Sequence, residues 1–512
     1  MKTPHGSVLV FAFASALALA GGGCNLAPRY ERPSVDASAA FRETAPADDP
    51  SSVAWQAAQP SDAAPRGQWW EIFGDTRLNA LEQQVESSNQ TILAAAANFR
   101  AARAAVVGAR SAFFPMLTAA PFFTRSRASQ TLKKSASTGA NAGSTGTANE
   151  YALPLDASYE LDLWGRVRNN VGAVTADAQA SAADLATALL SMQAELAQDY
   201  FQLHALDAER QILDESAASY RQSLEETRAL FRAGIDSEED VARAETQLNT
   251  TVAQASDLGV ARAAFEHAIA VLVGKPPANL SLPVAPLTAH PPAVPAGVPS
   301  SLLERRPDIA AAERRVAAAN AQIGIARTAY FPRLTLAAAG GWESSQVSHW
   351  FDWPGRFWSV GPQLAATLLD GGARRAQTDQ ARAAFDEATA NYRQTVLSAF
   401  QGVENNLAAL RILDEEARQQ RVAVDSARHL LDLAHTRFTT GIDSYLNVIT
   451  AQTALLSNRE TEQHIQLRQM TASIGLLKAL GGGWTTAQLP TKKEFTTVSS
   501  RTTVDQRLAT SR

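Results

Sequence analysis

The sequence predicts a mainly α protein with a membrane β component, built as two tandem copies of one unit. Three observations carry the prediction. First, residues 109–118 read ARSAFFPMLT and residues 326–335 read ARTAYFPRLT, while the heptapeptide FRAGIDS at 231–237 returns as FTTGIDS at 438–444. Self-similarity at a fixed period marks repeated structural units. Second, residues 166–233 and 373–440 contain no proline and one glycine each, Gly172 and Gly402. Each reads as a single helix of nearly seventy residues, about 100 Å long. Third, between each Phe-Pro and each long helix the apolar period changes to two, the signature of a strand with two unlike faces.

The N-terminus is read first. Lys2 precedes an apolar run from Val8 to Ala20, followed by Gly21-Gly22-Gly23-Cys24. This is a signal peptide over 1–23, too short to span a membrane as a mature helix. The small residues before Cys24 resemble a lipobox, which makes the only cysteine of the chain the candidate lipid anchor. Gly21 stands where that motif has Leu, and Ala18-Leu19-Ala20 is an alternative ordinary cleavage site that would leave Cys24 a free thiol. Asn25, rather than Asp, follows the cysteine and fits outer-membrane delivery. Residues 24–75 form a lipidated N-terminal segment; its residues 25–70 have little periodicity, and either wrap the helices or are partly disordered. No later run of 18 or more uninterrupted apolar residues occurs, so strands must make any membrane insertion.

Repeat 1 spans 76–274 and repeat 2 spans 301–484, with a Pro-rich linker at 275–300 and a polar tail at 485–512. Shorter helices, about 76–112 and 308–330, lead into Pro115 and Pro332. The strand hairpins lie at about 116–163 and 333–370. Tyr151, Leu153, Leu155, Ala157, Tyr159, Leu161 and Leu163 alternate with polar residues, and Trp358, Val360, Leu364 and Leu368 keep that phase in the second copy. Strands of about ten residues cross a tilted bilayer path. Pro115 pairs with Pro332 at an offset of 217, but Gly234 pairs with Gly441 at 207. The ten residues differ in the hairpin loops, about 128–150 and 345–356, which marks both as exposed tips. Trp342, Trp350, Phe351, Trp353, Phe357 and Trp358 suit an interfacial aromatic girdle; a soluble β-sandwich edge is the alternative.

Each long helix ends at Gly-Ile-Asp-Ser and is followed by a shorter helix, giving helical hairpins at 166–273 and 373–480. Gly234 and Gly441 suit left-handed C-caps. Asp236, Ser237, Asp443 and Ser444 suit N-caps of the returning helices. Leu185, Leu189, Met192, Leu196, Leu203 and Leu206 step by four and three, as do Val396, Phe400, Val403, Leu407 and Leu410, so the long helices are expected to pack as coiled coils. Two hairpins give four strands, which cannot close a barrel alone; an open edge is not tolerated in lipid. The chain must therefore oligomerise.

Chemistry is not indicated. Net charge is −5, no basic run exceeds two residues, and the eight histidines are scattered; this argues against nucleic acid. No metalloprotease, phosphate-loop, nucleophile-elbow or dinucleotide motif occurs. Four methionines do not make a Cu(I) ladder. The expectation is no enzyme, no cofactor and no metal.

The ordered set of motifs resembles the TolC-like outer-membrane factors of tripartite efflux systems, in their NodT-type lipoprotein branch. Its marks are LERRPDI at 303–309 with Glu313, Trp69-Trp70 with Phe73, Asp75 and Leu78, both Phe-Pro turns, DLWGR at 162–166, and both Gly-Ile-Asp-Ser tips. The resemblance implies a homotrimer forming a 12-stranded β-barrel continuous with a 12-helix periplasmic α-barrel, a passive exit duct for small molecules. It implies a palmitoylated anchor at Cys24 and contact with outer-membrane lipid. Adaptor-docking tips would be Gly234, Ile235, Asp236 and Ser237 with Gly441, Ile442, Asp443 and Ser444. The tips would meet a periplasmic adaptor coupled to an inner-membrane transporter, of RND type. The family's gate carboxylates correspond to Asn447 and Thr450, with Asp240 and Arg243 as first-copy equivalents. This departure leaves hydrogen bonds, or Asp236, Asp443 and an Asp240/Arg243 pair, to hold a closed mouth. The alternatives are a periplasmic adaptor lipoprotein and a structural envelope coiled-coil protein.

Overall fold

The structure is a computed structural model that describes residues 25–35, 41–43, 68–127, 147–292 and 302–495. The signal segment, Cys24, residues 128–146 of the first loop and the end of the polar tail lie outside the described residues. The first copy runs α1 (Thr76–Ser88), α2 (Gln90–Ser111), β1 (Met116–Ala119), β2 (Phe122–Arg127), β3 (Thr147–Leu161), α3 (Arg166–Arg232) and α4 (Glu238–Leu272). The second runs α5 (Pro307–Thr328), β4 (Arg333–Ser344), β5 (Arg356–Ala365), α6 (Ala373–Thr439) and α7 (Tyr445–Ala479). The copies match in length: α3 and α6 have 67 residues each, α4 and α7 have 35, and α2 and α5 have 22.

Three expectations are corrected. The helix expected over 76–112 is two helices, because Asn89 leaves the helical region (φ −67°, ψ 124°). Its carbonyl oxygen caps α2 by accepting from Thr91 N and Ile92 N at 2.9 and 3.1 Å, while its amide donates to Leu272 O at 2.9 Å. The cap thus also ties α2 to the end of α4. The first loop is shorter than expected, since residues 147–150 already pair with β2. Finally, β3 stops at Leu161 and β5 at Ala365, before Leu163 and Leu368.

The strands form one antiparallel sheet in the order β1–β3–β4–β5, with β2 continuing β1 along β3 after the break at Ala120-Pro121. Proline has no N–H for the ladder, so the ribbon is interrupted where it sits. Register sets the faces. Leu155 lies opposite Gly340, Ala157 opposite Ala338, Tyr159 opposite Leu336 and Leu161 opposite Leu334. Gly340 lies opposite Trp358, Ala338 opposite Val360 and Leu334 opposite Leu364. These residues make one apolar face, on which Trp358, Val360 and Leu364 are largely exposed. The other face carries Thr118, Asp156, Ser158, Glu160, Thr335 and Gln363.

Both strand-to-helix junctions use an aspartate. Asp162 accepts from Val167 N and Arg168 N at 3.0 and 2.9 Å, and Asp370 accepts from Gly372 N and Arg374 N at 3.1 Å each. A carboxylate there satisfies the free N–H groups of the helix start and its partial positive charge. Glu160 binds Arg166 through two short bonds, 2.7 and 2.6 Å. Trp164 donates to Pro332 O at 2.8 Å, so the two copies are joined at this level.

Helix α3 is the central member and packs on α1, α2, α4, α5 and α7. Its heptad stripe is packed as expected, with Leu196 and Leu203 fully buried against Trp69, Trp70, Phe99, Ile474 and Leu477. Among the helices α6 packs mainly on α5 and α7, with the N-terminal residues Tyr30 and Val35 on Tyr392 and Val396, and it leaves Leu397, Ile412, Val422 and Leu430 about half exposed or more. Helix α2 is the one described helix long and apolar enough to cross a membrane by composition, but it lies along α3. The LERRPDI motif is a clamp: Arg306 donates to Ala479 O at 2.8 Å and forks onto Asp308, fixing the start of α5 to the end of α7. The linker is strapped down by a second buried group. Asp207 accepts from Arg262 at 2.7 Å and Ala285 N at 3.0 Å, and Glu266 accepts from Leu282 N at 2.6 Å.

One buried acid has no such partner. Glu82 on α1 is fully buried, both its oxygens lack a hydrogen bond among the described residues, and burial pushes its carboxyl to about 9. The folded chain then holds this proton more tightly than the unfolded chain. Stability from this group is therefore lost as pH rises from the ordinary 4.5 towards 9. Glu82→Gln should raise the melting temperature, by a margin that grows between about pH 5 and about pH 8. Parallel melting curves for the two proteins across that range would contradict this assignment.

Candidate functional site

Far from the sheet, the two helical hairpins end in turns of the same backbone form but unlike side-chain bonding. Gly234 and Gly441 take φ 75° and 74°, the left-handed region where a Cβ is strained. The turns close alike, with Ile235 N donating to Leu230 O at 3.0 Å and Ile442 N to Arg437 O at 2.9 Å. Ile235 and Ile442 project with 74% and 67% of their surface exposed. Apolar residues held out at both tips by a fixed turn are available to a partner.

At the first tip, Ser237 caps α4 by accepting from Asp240 N at 3.1 Å, and its hydroxyl donates to the Asp240 carboxylate at 2.6 Å. Arg243 pairs with Glu239, one helical turn back. The expected Asp240/Arg243 pair is therefore not formed, because each member has a nearer partner on its own helix. Asp236 is half-buried and its Oδ2 has no partner among the described residues; burial first, then the Asp240 charge, raises its carboxyl.

At the second tip, Arg437 donates to Asp443 at 3.1 Å, and Asn447 donates to the other oxygen of the same carboxylate at 2.5 Å. These bonds hold Asp443 below the usual carboxylate range, the Arg437 hydrogen bond first. Ser444, expected as a cap, makes no side-chain cap bond. Thr450 returns its hydroxyl to Leu446 O at 2.8 Å, and it is exposed. Asn447 is also exposed, so the two sequence-equivalent gate positions carry no charge at this surface. Above the tips, Phe438, Tyr445 and Val448 pack with Leu224 and Ala244, and Gln452 donates to Ser223 at 2.9 Å. The paired hairpins are thus joined through α3 and α7.

The described N-terminal residues begin beside the sheet. Asn25 lies against Gly165, at the first turn of α3. The segment then descends the helices. Arg327 donates to Leu26 O at 3.4 Å, Asn320 to Pro28 O at 2.9 Å and Arg32 to Tyr392 at 3.2 Å. Tyr30 meets Glu313, and Glu404 accepts from Arg42 N at 2.8 Å. Of the two courses left open for this segment, the described residues take the one over the helices; an extended chain on a helix surface has no repeat of its own, so periodicity did not fix its path. At the opposite end of the sheet, Trp350 stacks on Phe351 at 4.9 Å, and both lie near Tyr151 and Trp342. Among the described residues no group of three metal-ligating side chains comes together.

Comparison with known proteins agrees with this architecture. The family model described as outer membrane efflux protein matches residues 81–275 and 298–482. The probable efflux pump outer membrane protein TtgC of Pseudomonas putida is 32% identical over 466 residues, covering 90% of this chain and 93% of its own. The pyoverdine export outer membrane protein OpmQ of Pseudomonas aeruginosa is 33% identical over 440 residues, covering 85% and 91%. Among solved structures, the outer-membrane channel OprN superposes with a TM-score of 0.81 at 30% identity, over 90% of this chain and all of that one. VceC of Vibrio cholerae superposes at 0.76 with 26% identity, covering 82% of this chain. The chain belongs to the outer membrane efflux protein family, the TolC-like outer-membrane factors, and is an outer-membrane efflux channel that extends into the periplasm.

The two tips should answer acid in opposite senses. Asp236 has a raised carboxyl, so its tip gains stability as pH falls towards the ordinary 3.8. Asp443 has a lowered one, so the second tip loses stability as pH falls below 3.8 through the depressed value. Amide exchange, corrected for intrinsic rates, should slow at 234–241 and then quicken at 441–448. A change of the same sign at both tips would sink this reading.

Proposed function

We propose that three copies of this chain form a passive exit duct, whose periplasmic mouth is made by the hairpin tips and docks an adaptor. The observation that carries the reading is the sheet itself: four ribbons with an apolar face, two unpaired edges at β1–β2 and β5, and long helices continuing from its strands. Unpaired strand edges in lipid cost several kcal/mol per orphan group, so neighbouring chains are the natural partners. Three chains of four ribbons give twelve strands, wide enough for a lumen, whereas eight would fill themselves. The half-exposed apolar residues of α6 supply the matching surface on the helical wall.

The duct carries no enzymatic activity in this reading, and transport energy comes from an inner-membrane transporter, of RND type, linked through a periplasmic adaptor. Relatives are named for efflux of toluene and export of pyoverdine. Their range, with a lumen face of small and polar residues here, supports substrate choice by the inner-membrane partner. The tips 234–237 and 441–444 serve as the docking surface through Ile235 and Ile442. Asn447 and Thr450, with Asp240 and Arg243, line the mouth, and the closed state rests on hydrogen bonding and tip packing rather than on a charged pair. Cys24 is the palmitoylated anchor. Asn25, the first described residue, lies beside Gly165 at the start of α3, and this supports an anchor at the sheet end of the helices. The adaptor alternative is disfavoured by the single four-ribbon sheet.

The purified protein should insert into planar bilayers from detergent and give discrete conductance steps. A monomer soluble without detergent and silent in bilayers would overturn the duct. Gly441→Pro forces φ to about −65° where +74° is needed. It should abolish efflux while leaving trimers in the outer membrane; absence of those trimers would make the tip structural instead. Palmitate should label the wild type and not Cys24→Ser, and an unlabelled wild type would remove the anchor.

A further inference from the structure

Beyond the aromatic residues at the outer end of the sheet, the exposed apolar face turns cationic. Phe123 lies opposite Tyr151, Arg125 opposite Asn149 and Arg127 opposite Thr147. Alternation along β2 puts Phe123, Arg125 and Arg127 on one face, the face of Tyr151 and Leu153. Through β4 and β5 that face continues to Trp342, Trp358 and Val360. From Leu161 to Tyr151 it is apolar for eleven residues of β3, the length of a tilted strand that crosses the hydrocarbon layer. Arg125 and Arg127 stand one and two pleats further out, about 7 Å apart along the strand. This is the depth of the outer headgroups.

The charges are sorted by face. Glu150 and Glu343 occupy the opposite, inward face at this end, and no carboxylate of the described strands shares the arginine face there. Both arginines are exposed, and neither makes a hydrogen bond or ion pair among the described residues. A third, Arg356, stands opposite Trp342 on the same face, over the ring of Trp353. The second copy lacks this feature, for Arg125 and Arg127 correspond at the 217 offset to Trp342 and Ser344. Guanidinium forks match phosphate oxygens in pairs, which a surface chosen only for solubility would not need.

We propose that Arg125 and Arg127, with Arg356 three strands across on the same face, form a rim that binds the phosphate headgroups of outer-leaflet lipid, whose acyl chains lie on the apolar face below. The inference rests on the outer-membrane location, and its readout is lipid binding, not conductance.

The test is native mass spectrometry of the full-length complex in detergent, titrated with diphosphorylated lipid A, its dephosphorylated form, phosphatidylethanolamine and inorganic phosphate. Wild type should bind the diphosphorylated lipid roughly tenfold or more tightly than the dephosphorylated one. Arg125→Gln with Arg127→Gln should remove that preference, while Arg333→Gln, on the inward face at the inner end, should keep it. Equal binding of the two lipid forms by wild type overturns the proposal, and this comparison decides the matter even where the double variant does not fold. Displacement of the lipid by equimolar inorganic phosphate also overturns it, since that marks a soluble-anion site.

Discussion

Hydrocarbon offers a backbone no hydrogen bonds, and the whole architecture answers that condition. Strands β3 and β4 satisfy each other over eleven positions, but β5 and the β1–β2 ribbon each present one row of N–H and C=O groups with no partner among the described residues. No rearrangement within one chain removes two edges from a four-ribbon sheet. In the proposed duct, closure comes from copies, and the strand number then sets the bore. The helices inherit the same demand. Helix α3 is enclosed by five helices, while α6 keeps an open apolar side.

The junction between the two layers transmits this geometry. Asp162 and Asp370 cap the long helices directly after the strands, Glu160 holds Arg166, and Trp164 reaches the other copy at Pro332. A carboxylate at a helix start contributes about 1 kcal/mol, so its value lies mainly in fixing the helix direction relative to the strand. The duplication supplies this joint twice. What the copies do not share is informative: Asp236 keeps one carboxylate oxygen without a partner among the described residues while Asp443 is held by Arg437 and Asn447, and only the first copy carries the outward pair Arg125 and Arg127.

Much of this was legible in the sequence where a long period repeated. The proline-free runs gave α3 and α6, and alternation from Tyr151 to Leu161 gave the faces of β3. Single residues with competing bonding options were less legible. Asn89 ends one helix and begins the next, and only its docking to Leu272 O fixes that choice. The Asp240/Arg243 pair looked plausible by spacing, yet Ser237 and Glu239 are nearer partners. The strap residues 25–35 and 41–43 have no pattern at all, because most of their contacts are made with residues some three hundred positions away.

The central claim is that the sheet is completed between chains. Native mass measurement of the wild-type complex, extracted from membranes in mild detergent, addresses it most directly. The account gives a mass of three chains, each 54.6 kDa before any processing. A monodisperse single chain that retains its folded sheet would contradict it.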